Sequence, residues 1–104
     1  MLNNNSIAEE VTPLEFYLSQ NYPNPFKDKT TIKYCVSYKT HVNLTVLDAE
    51  RNEIEKLVDE EKKPGTYEVE FKSAIGSRQL AIGDYFYRLQ AGDYSIEKRM
   101  QLIK

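Results

Sequence analysis

The stretch Gly83-Asp-Tyr-Phe-Tyr-Arg-Leu-Gln-Ala-Gly-Asp93, continued by Tyr94-Ser-Ile-Glu-Lys-Arg-Met-Gln-Leu-Ile-Lys104, decides the fold. Side chains alternate across a strand, so Tyr85, Tyr87 and Leu89 share one face while Phe86 and Arg88 take the other. Gly92-Asp93 is turn chemistry, and it returns the chain into a last strand from about Tyr94 to Ile103.

The same period runs upstream. Thr30 to Tyr38 alternates apolar and polar residues, and His41 to Asp48 sets Val42, Leu44 and Val46 against Asn43 and Thr45, so the two segments are predicted to pair as a hairpin. Asp48 to Asn52 (DAERN) supplies turn chemistry through its Asp and Asn. It leads into a short strand, Glu53 to Val58, carrying Ile54, Leu57 and Val58. Asp59 to Gly65 (DEEKKPG) reads as a charged connection closed by Pro-Gly, and Thr66 to Lys72 as a strand with Tyr67, Val69 and Phe71 inward. Ser73 to Ile82 is a predicted loop. With about six strands from Thr30 onward, a seventh from the region of Asn21 to Phe26, and no sustained 3.6-residue period, the chain is predicted to be an all-β antiparallel sandwich of about seven strands. Lys98 and Arg99 in the last strand and Pro23 and Pro25 in the first segment suit sheet edges.

Composition narrows the function classes. A chain of 104 residues fits one domain with a modest core and little room for a walled cleft. Its 16 acidic and 14 basic residues give a net charge of -2, which supplies no positive field for nucleic acid. No apolar run approaches the roughly 20 residues of a membrane-spanning helix, and Met1 to Val11 lacks the basic-then-apolar build of a signal peptide. Residues 1–17, which mix Asn, Ser, Glu and Pro without a sustained period, read as a flexible linker following an absent cargo domain, so the chain is expected to be a piece of a longer precursor.

The search for reactive groups gives little. Cys35 is the single cysteine, on the strand face of Thr31, Lys33 and Ser37, and the single histidine, His41, lies in a predicted turn six residues on. Glu60 and Glu61 sit beside lysines, and Glu68 and Glu70 share an outward face, so no carboxylate pair is set in an apolar pocket for acid–base work. Phosphate-loop, HExxH and zinc-ligand patterns are absent, and no cofactor or metal is expected. The triplet Asn43-Leu44-Thr45 matches a glycosylation sequon but falls inside a strand. Eight Tyr and four Phe invite a sugar-stacking reading; the inward phases of Tyr34, Tyr67, Phe71, Tyr85 and Tyr87 assign those rings to the core instead. Tyr17, Tyr22 and Phe26 stand apart, because Pro23 and Pro25 are expected to hold an extended path that lays those rings across the open end of the sandwich.

Leu18 to Phe26 reads LSQNYPNPF, and the chain closes on YSIEKRMQLIK. Over Leu18 to Lys104 the sequence resembles the type A C-terminal sorting domain of the type IX secretion system, an export route of Bacteroidetes and their relatives, which opens with an LxQNYPNPFNPxT-like run and ends on a basic, apolar strand. Asn21, Tyr22, Pro23, Asn24, Pro25, Phe26, Gly83 and Tyr85 carry the resemblance. Lys27 and Asp28 after the motif, Arg78 to Leu80, Asp84 and Asn52 depart from it; because many relatives carry Gly where Asn52 stands, the resemblance implies that Asn52 is the left-handed residue of its turn.

The resemblance implies an immunoglobulin-like sandwich that directs an N-terminal cargo from the periplasm to the cell surface or the medium. Its implied partners are an outer-membrane translocon and a sortase-like peptidase cutting upstream, between about Asn3 and Leu14. Lys98, Arg99, Met100, Leu102 and Lys104 are the expected recognition residues, presenting basic and apolar groups, with strand addition as one mode. Lys104 would then end the precursor. The rival readings are an immunoglobulin-like interaction module resident in a surface protein, such as a hook-capping-like sandwich or an adhesion repeat, and, more remotely, a small hydrolase using Cys35 with His41.

Overall fold

The computed structural model describes residues 13–104, and every element within them is a strand or a turn. In chain order the strands are β1 (Tyr17–Leu18), β2 (Lys29–Val36), β3 (Thr40–Leu47), β4 (Glu53–Lys62), β5 (Gly65–Lys72), β6 (Ala74–Ile75), β7 (Arg78–Gln79), β8 (Gly83–Ala91) and β9 (Tyr94–Leu102). One sheet has the order β1-β2-β5, the other β4-β3-β8-β9, and β6-β7 is a separate small hairpin. All these pairings are antiparallel. Three strands facing four in this order form the immunoglobulin-like sandwich, with seven strands in its two sheets.

The core follows from the period of two. Ile32, Tyr34 and Val36 of β2 and Phe71 of β5 meet Val42, Leu44 and Val46 of β3, Tyr85, Tyr87 and Leu89 of β8, and Met100 and Leu102 of β9, all buried. Each aliphatic or phenyl side chain removed from water contributes about 1.5–3 kcal/mol. Four of the five aromatic rings assigned to the core are buried. Tyr67 is half-buried, stacked on Tyr34 with ring centres 5.4 Å apart. Gly92, at φ 60°, and Asp93 close the β8–β9 turn, and a side chain at Gly92 would run into the Tyr38 hydroxyl.

Four expectations are corrected. The predicted hairpin of the Thr30 and His41 segments does not form: β2 pairs with β1 and β5, β3 with β4 and β8, and the intervening residues cross between the sheets. Two adjacent alternating runs look alike whether they share a sheet or face each other. Asp59 to Lys62 belong to a strand, since β4 continues to Lys62 with Glu60 opposite Val42 and Glu61 opposite His41; at a sheet edge such charges stay solvated. The left-handed residue of the DAERN turn is Arg51, at φ 71°, and not Asn52. Asn52 instead donates its backbone N–H to the Asp48 carboxylate, which also accepts from the Glu50 N–H; these bonds, that of Asn52 foremost, hold Asp48 below the usual carboxylate range. The predicted loop after Ser73 contains the β6-β7 hairpin around Gly76.

Burial pushes the Tyr34 and Tyr87 hydroxyls from 10.0 up to about 12. The folded form keeps its phenols protonated longer than the unfolded chain does, so their stabilising contribution is whole below pH 10 and is lost as pH rises toward 12. Urea unfolding across this range is expected to show an unfolding free energy that is flat to the onset and then falls by up to about 1.4 kcal/mol per pH unit per tyrosine, with the midpoint falling in step.

Candidate functional site: the entry segment and the closing strand

Leu18 to Phe26 begins in one sheet and ends in the other. Tyr17 and Leu18 pair with Cys35 and Tyr34 of β2, the Ser19 N–H donates to the Lys33 carbonyl at 3.0 Å, and Tyr22 and Thr31 exchange two backbone bonds of 2.9 Å. The chain then bends at Pro23, Asn24 and Pro25, where the Tyr22-Pro23 and Asn24-Pro25 peptides are cis, and reaches β9. There the Phe26 N–H donates to the Gln101 carbonyl at 2.9 Å, and the Phe26 carbonyl accepts from the Ile103 N–H at 2.8 Å, a parallel bridge centred on Leu102. The extended path expected for this segment is therefore corrected. A straight run would continue along β2, whereas the bends carry it across the side of the sandwich.

Each polar motif residue has a partner. Asn21, only 2% exposed, donates its N–H to the Tyr87 hydroxyl oxygen at 2.8 Å and its amide to the Thr30 hydroxyl oxygen and the Pro23 carbonyl. Tyr87 donates in turn to the Ser19 carbonyl at 2.7 Å, and Thr30 to the Pro23 carbonyl at 2.8 Å. The Gln20 amide donates to the Arg99 carbonyl at 2.7 Å, and the Asn24 side-chain oxygen accepts from the Gln101 N–H at 3.0 Å. The Phe26 ring is buried edge-on to Phe71. Tyr22 differs: its backbone is tied to Thr31 while its side chain is 81% exposed. Tyr17 is also exposed, so Phe26 alone of those three rings enters the core.

The closing strand divides the expected recognition residues between two sides. Met100 and Leu102 are buried and complete the core. Lys98 shares their strand phase but lies half-buried, opposite Tyr87. Arg99 faces outward, 3.7 Å from the Asp84 carboxylate, and Lys104 is exposed past the strand end. Basic groups alone are thus on offer here; the two apolar residues face inward because only they can seal the sheet against Phe26 and Tyr85. At the outer edge of β9 the backbone groups of alternate residues point away from β8. Arg99, Gln101 and Ile103 already spend theirs on Gln20, Asn24 and Phe26, while the stretch around Ser95 and Glu97 has no such partner among the described residues. Gly83 opens β8 opposite Leu102, and the Tyr85 hydroxyl donates to the Ala81 carbonyl at 2.5 Å.

The remaining candidates scatter. Cys35 lies on β2 with its sulfur 3.6 Å from the Thr66 hydroxyl, whereas His41 lies on β3 in the other sheet, with Nε2 2.6 Å from the Asp59 carboxylate. Asn43 is held in mid-sheet between Asp59 and Gln90. Among the described residues no helix is long and apolar enough to cross a membrane.

A segment joining the sheets through every residue of one motif and a closing strand sealed by that motif agree with the comparison of the sequence with known families, in which the secretion system C-terminal sorting domain matches residues 20–104. The chain belongs to that family. No individually curated protein matches it in sequence. Members of the sorting-domain family are address signals for export by the type IX secretion system and not catalytic domains, and they act on an attached cargo. The edge-capping roles of Gln20 and Asn24 were not legible in the sequence, because the bonds span 79 and 77 residues.

Two substitutions within the motif separate framework from surface. Phe26→Ala is expected to lower unfolding stability by about 3–5 kcal/mol, the cost of emptying a buried phenyl site. Tyr22→Ala is expected to change it by no more than about 0.5 kcal/mol. Tyr87→Phe, which orphans the Ser19 carbonyl and the Asn21 N–H, should cost about 1–3 kcal/mol; chemical denaturation of the three variants measures all of these.

Proposed function

We propose that this domain is a non-catalytic sorting signal whose basic closing-strand surface engages the outer-membrane translocon of the type IX system while its fold travels intact behind an N-terminal cargo. The supporting observation is the division of the closing strand: Met100 and Leu102 anchor it from within, Arg99 faces outward, Lys98 is half-buried in the inward phase at the rim, and Lys104 is exposed past the strand end. Because the motif occupies the lower edge of β9, this recognition works through side chains there and not by strand addition over Arg99 to Ile103. Removal by a sortase-like peptidase would fall upstream of Tyr17, the first strand-paired residue among those described, because a protease cannot take in backbone that is paired in a sheet. The expected stretch, Asn3 to Leu14, lies mostly outside the described residues.

The test places residues 1–104 behind a signal peptide and a fluorescent reporter in a bacterium with a working type IX system. The native domain is expected to bring the reporter to the surface or the medium. A Lys98→Glu/Arg99→Glu/Lys104→Glu variant with an unchanged melting curve should leave it in the periplasm. Export of that variant at the native level would remove the closing-strand claim, and periplasmic retention of the native fusion would favour a resident interaction module.

A further inference from the structure

The sandwich has three long edge strands, and two of them are guarded. β9 is occupied by the motif over its second half. β4 carries charges along its length and pairs with β3 through two register irregularities, and bulges and charges both discourage strand pairing. β5 has neither device: it matches β2 in eight consecutive pairs, Lys29 with Lys72 through Val36 with Gly65, without a break. Since Thr31 and Lys33 turn their backbone groups toward the entry segment, the alternate residues of β5, namely Thr66, Glu68 and Glu70, turn theirs away from β2. Among the described residues no other bond uses them.

The chemistry along this edge selects an occupant. Glu68 and Glu70 project from the outer face, each in a solvent-exposed pair with one lysine, Lys33 at 3.5 Å and Lys29 at 3.4 Å, weak contacts that leave carboxylate oxygens available. From Glu53 to Lys72 the two successive strands β4 and β5, one in each sheet, carry seven carboxylates against four lysines. On the inner face Tyr67 and Val69 are half-buried although their phase points to the core, so the edge is apolar beneath and acidic above. A second copy is disfavoured, because full antiparallel pairing of two β5 strands sets Glu68 against Glu70, and like charges directly opposite destabilise a pair.

We propose that the free edge of β5 docks an extended peptide segment with basic residues at alternate positions and apolar residues between them, adding a fourth strand to the β1-β2-β5 sheet. The basic residues lie opposite Glu68 and Glu70, the apolar ones cover Tyr67 and Val69, and the backbone bonds go to Thr66, Glu68 and Glu70. This edge belongs to the other sheet from the closing strand and does not rest on the role assigned to Lys98, Arg99 and Lys104.

The test titrates the isotopically labelled 104-residue chain with the capped heptapeptide Thr-Val-Lys-Val-Lys-Val-Thr, following backbone amide signals and their exchange with solvent. Shifts and new protection centred on Thr66, Glu68 and Glu70 are expected, with at least about tenfold weaker binding in Glu68→Lys/Glu70→Lys. That variant changes only exposed residues, and its melting curve verifies the fold. Equal binding of the analogue with Glu for Lys, shifts centred on Ser95 to Glu97 or on β4, or no binding at millimolar peptide would each overturn the proposal. Protection of the same amides without peptide, growing with protein concentration, would assign the edge to self-association instead.

Discussion

The bridge that Leu18 to Phe26 throws from β2 to β9 is the constraint on which the rest of this sandwich depends. Two sheets packed face to face have open sides, and at one of these the segment supplies two backbone bonds to Thr31, two to the end of β9, and the Phe26 ring between the layers. The crossing buries Asn21 and Thr30, which would oppose folding if either were unpartnered. Both are fully engaged, with Tyr87 from the opposite sheet completing the group, and no buried side-chain polar atom among the described residues lacks a partner. Tyr87 joins the layers by burying its ring in one and bonding to the backbone of the other.

This crossing also settles which edges remain available. By occupying Arg99 to Ile103 of β9 the motif removes the part of the closing strand most open to foreign pairing, as natural sheets commonly do at their margins. The other margin is treated unequally. β4 is charged and irregular, β5 regular and unpaired. Such asymmetry gives an otherwise plain sandwich two distinct sides, one locked by its own chain and one open.

An address domain needs a stable fold, a recognisable surface and no chemistry of its own. The reactive candidates sit accordingly: Cys35 and His41 lie in different sheets, each bonded to a neighbour on an adjacent strand. In the closing strand Met100 and Leu102 are pulled inward while Arg99, in the opposite phase, is displayed; Lys98 is half-buried at the rim and Lys104 is exposed past the strand end.

By itself the sequence determined the class of fold, six of the seven sandwich strands, nearly all of the core rings and the family, because a period of two and a run as unusual as NYPNPF are local properties; the seventh strand, expected from Asn21 to Phe26, is Tyr17–Leu18 just upstream. Partner choice is not local. β2 and β3 looked like a hairpin and lie in opposite sheets, Asp59 to Lys62 looked like a loop and extend a strand, and Met100 and Leu102 looked presentable and are buried. The bonds of Gln20 and Asn24 to β9 join residues nearly eighty positions apart, and only the packing of one sheet on the other brings them within hydrogen-bonding distance. Alternation says which way a side chain points relative to its own strand; which strand, motif or solvent it then meets was decided by the tertiary structure.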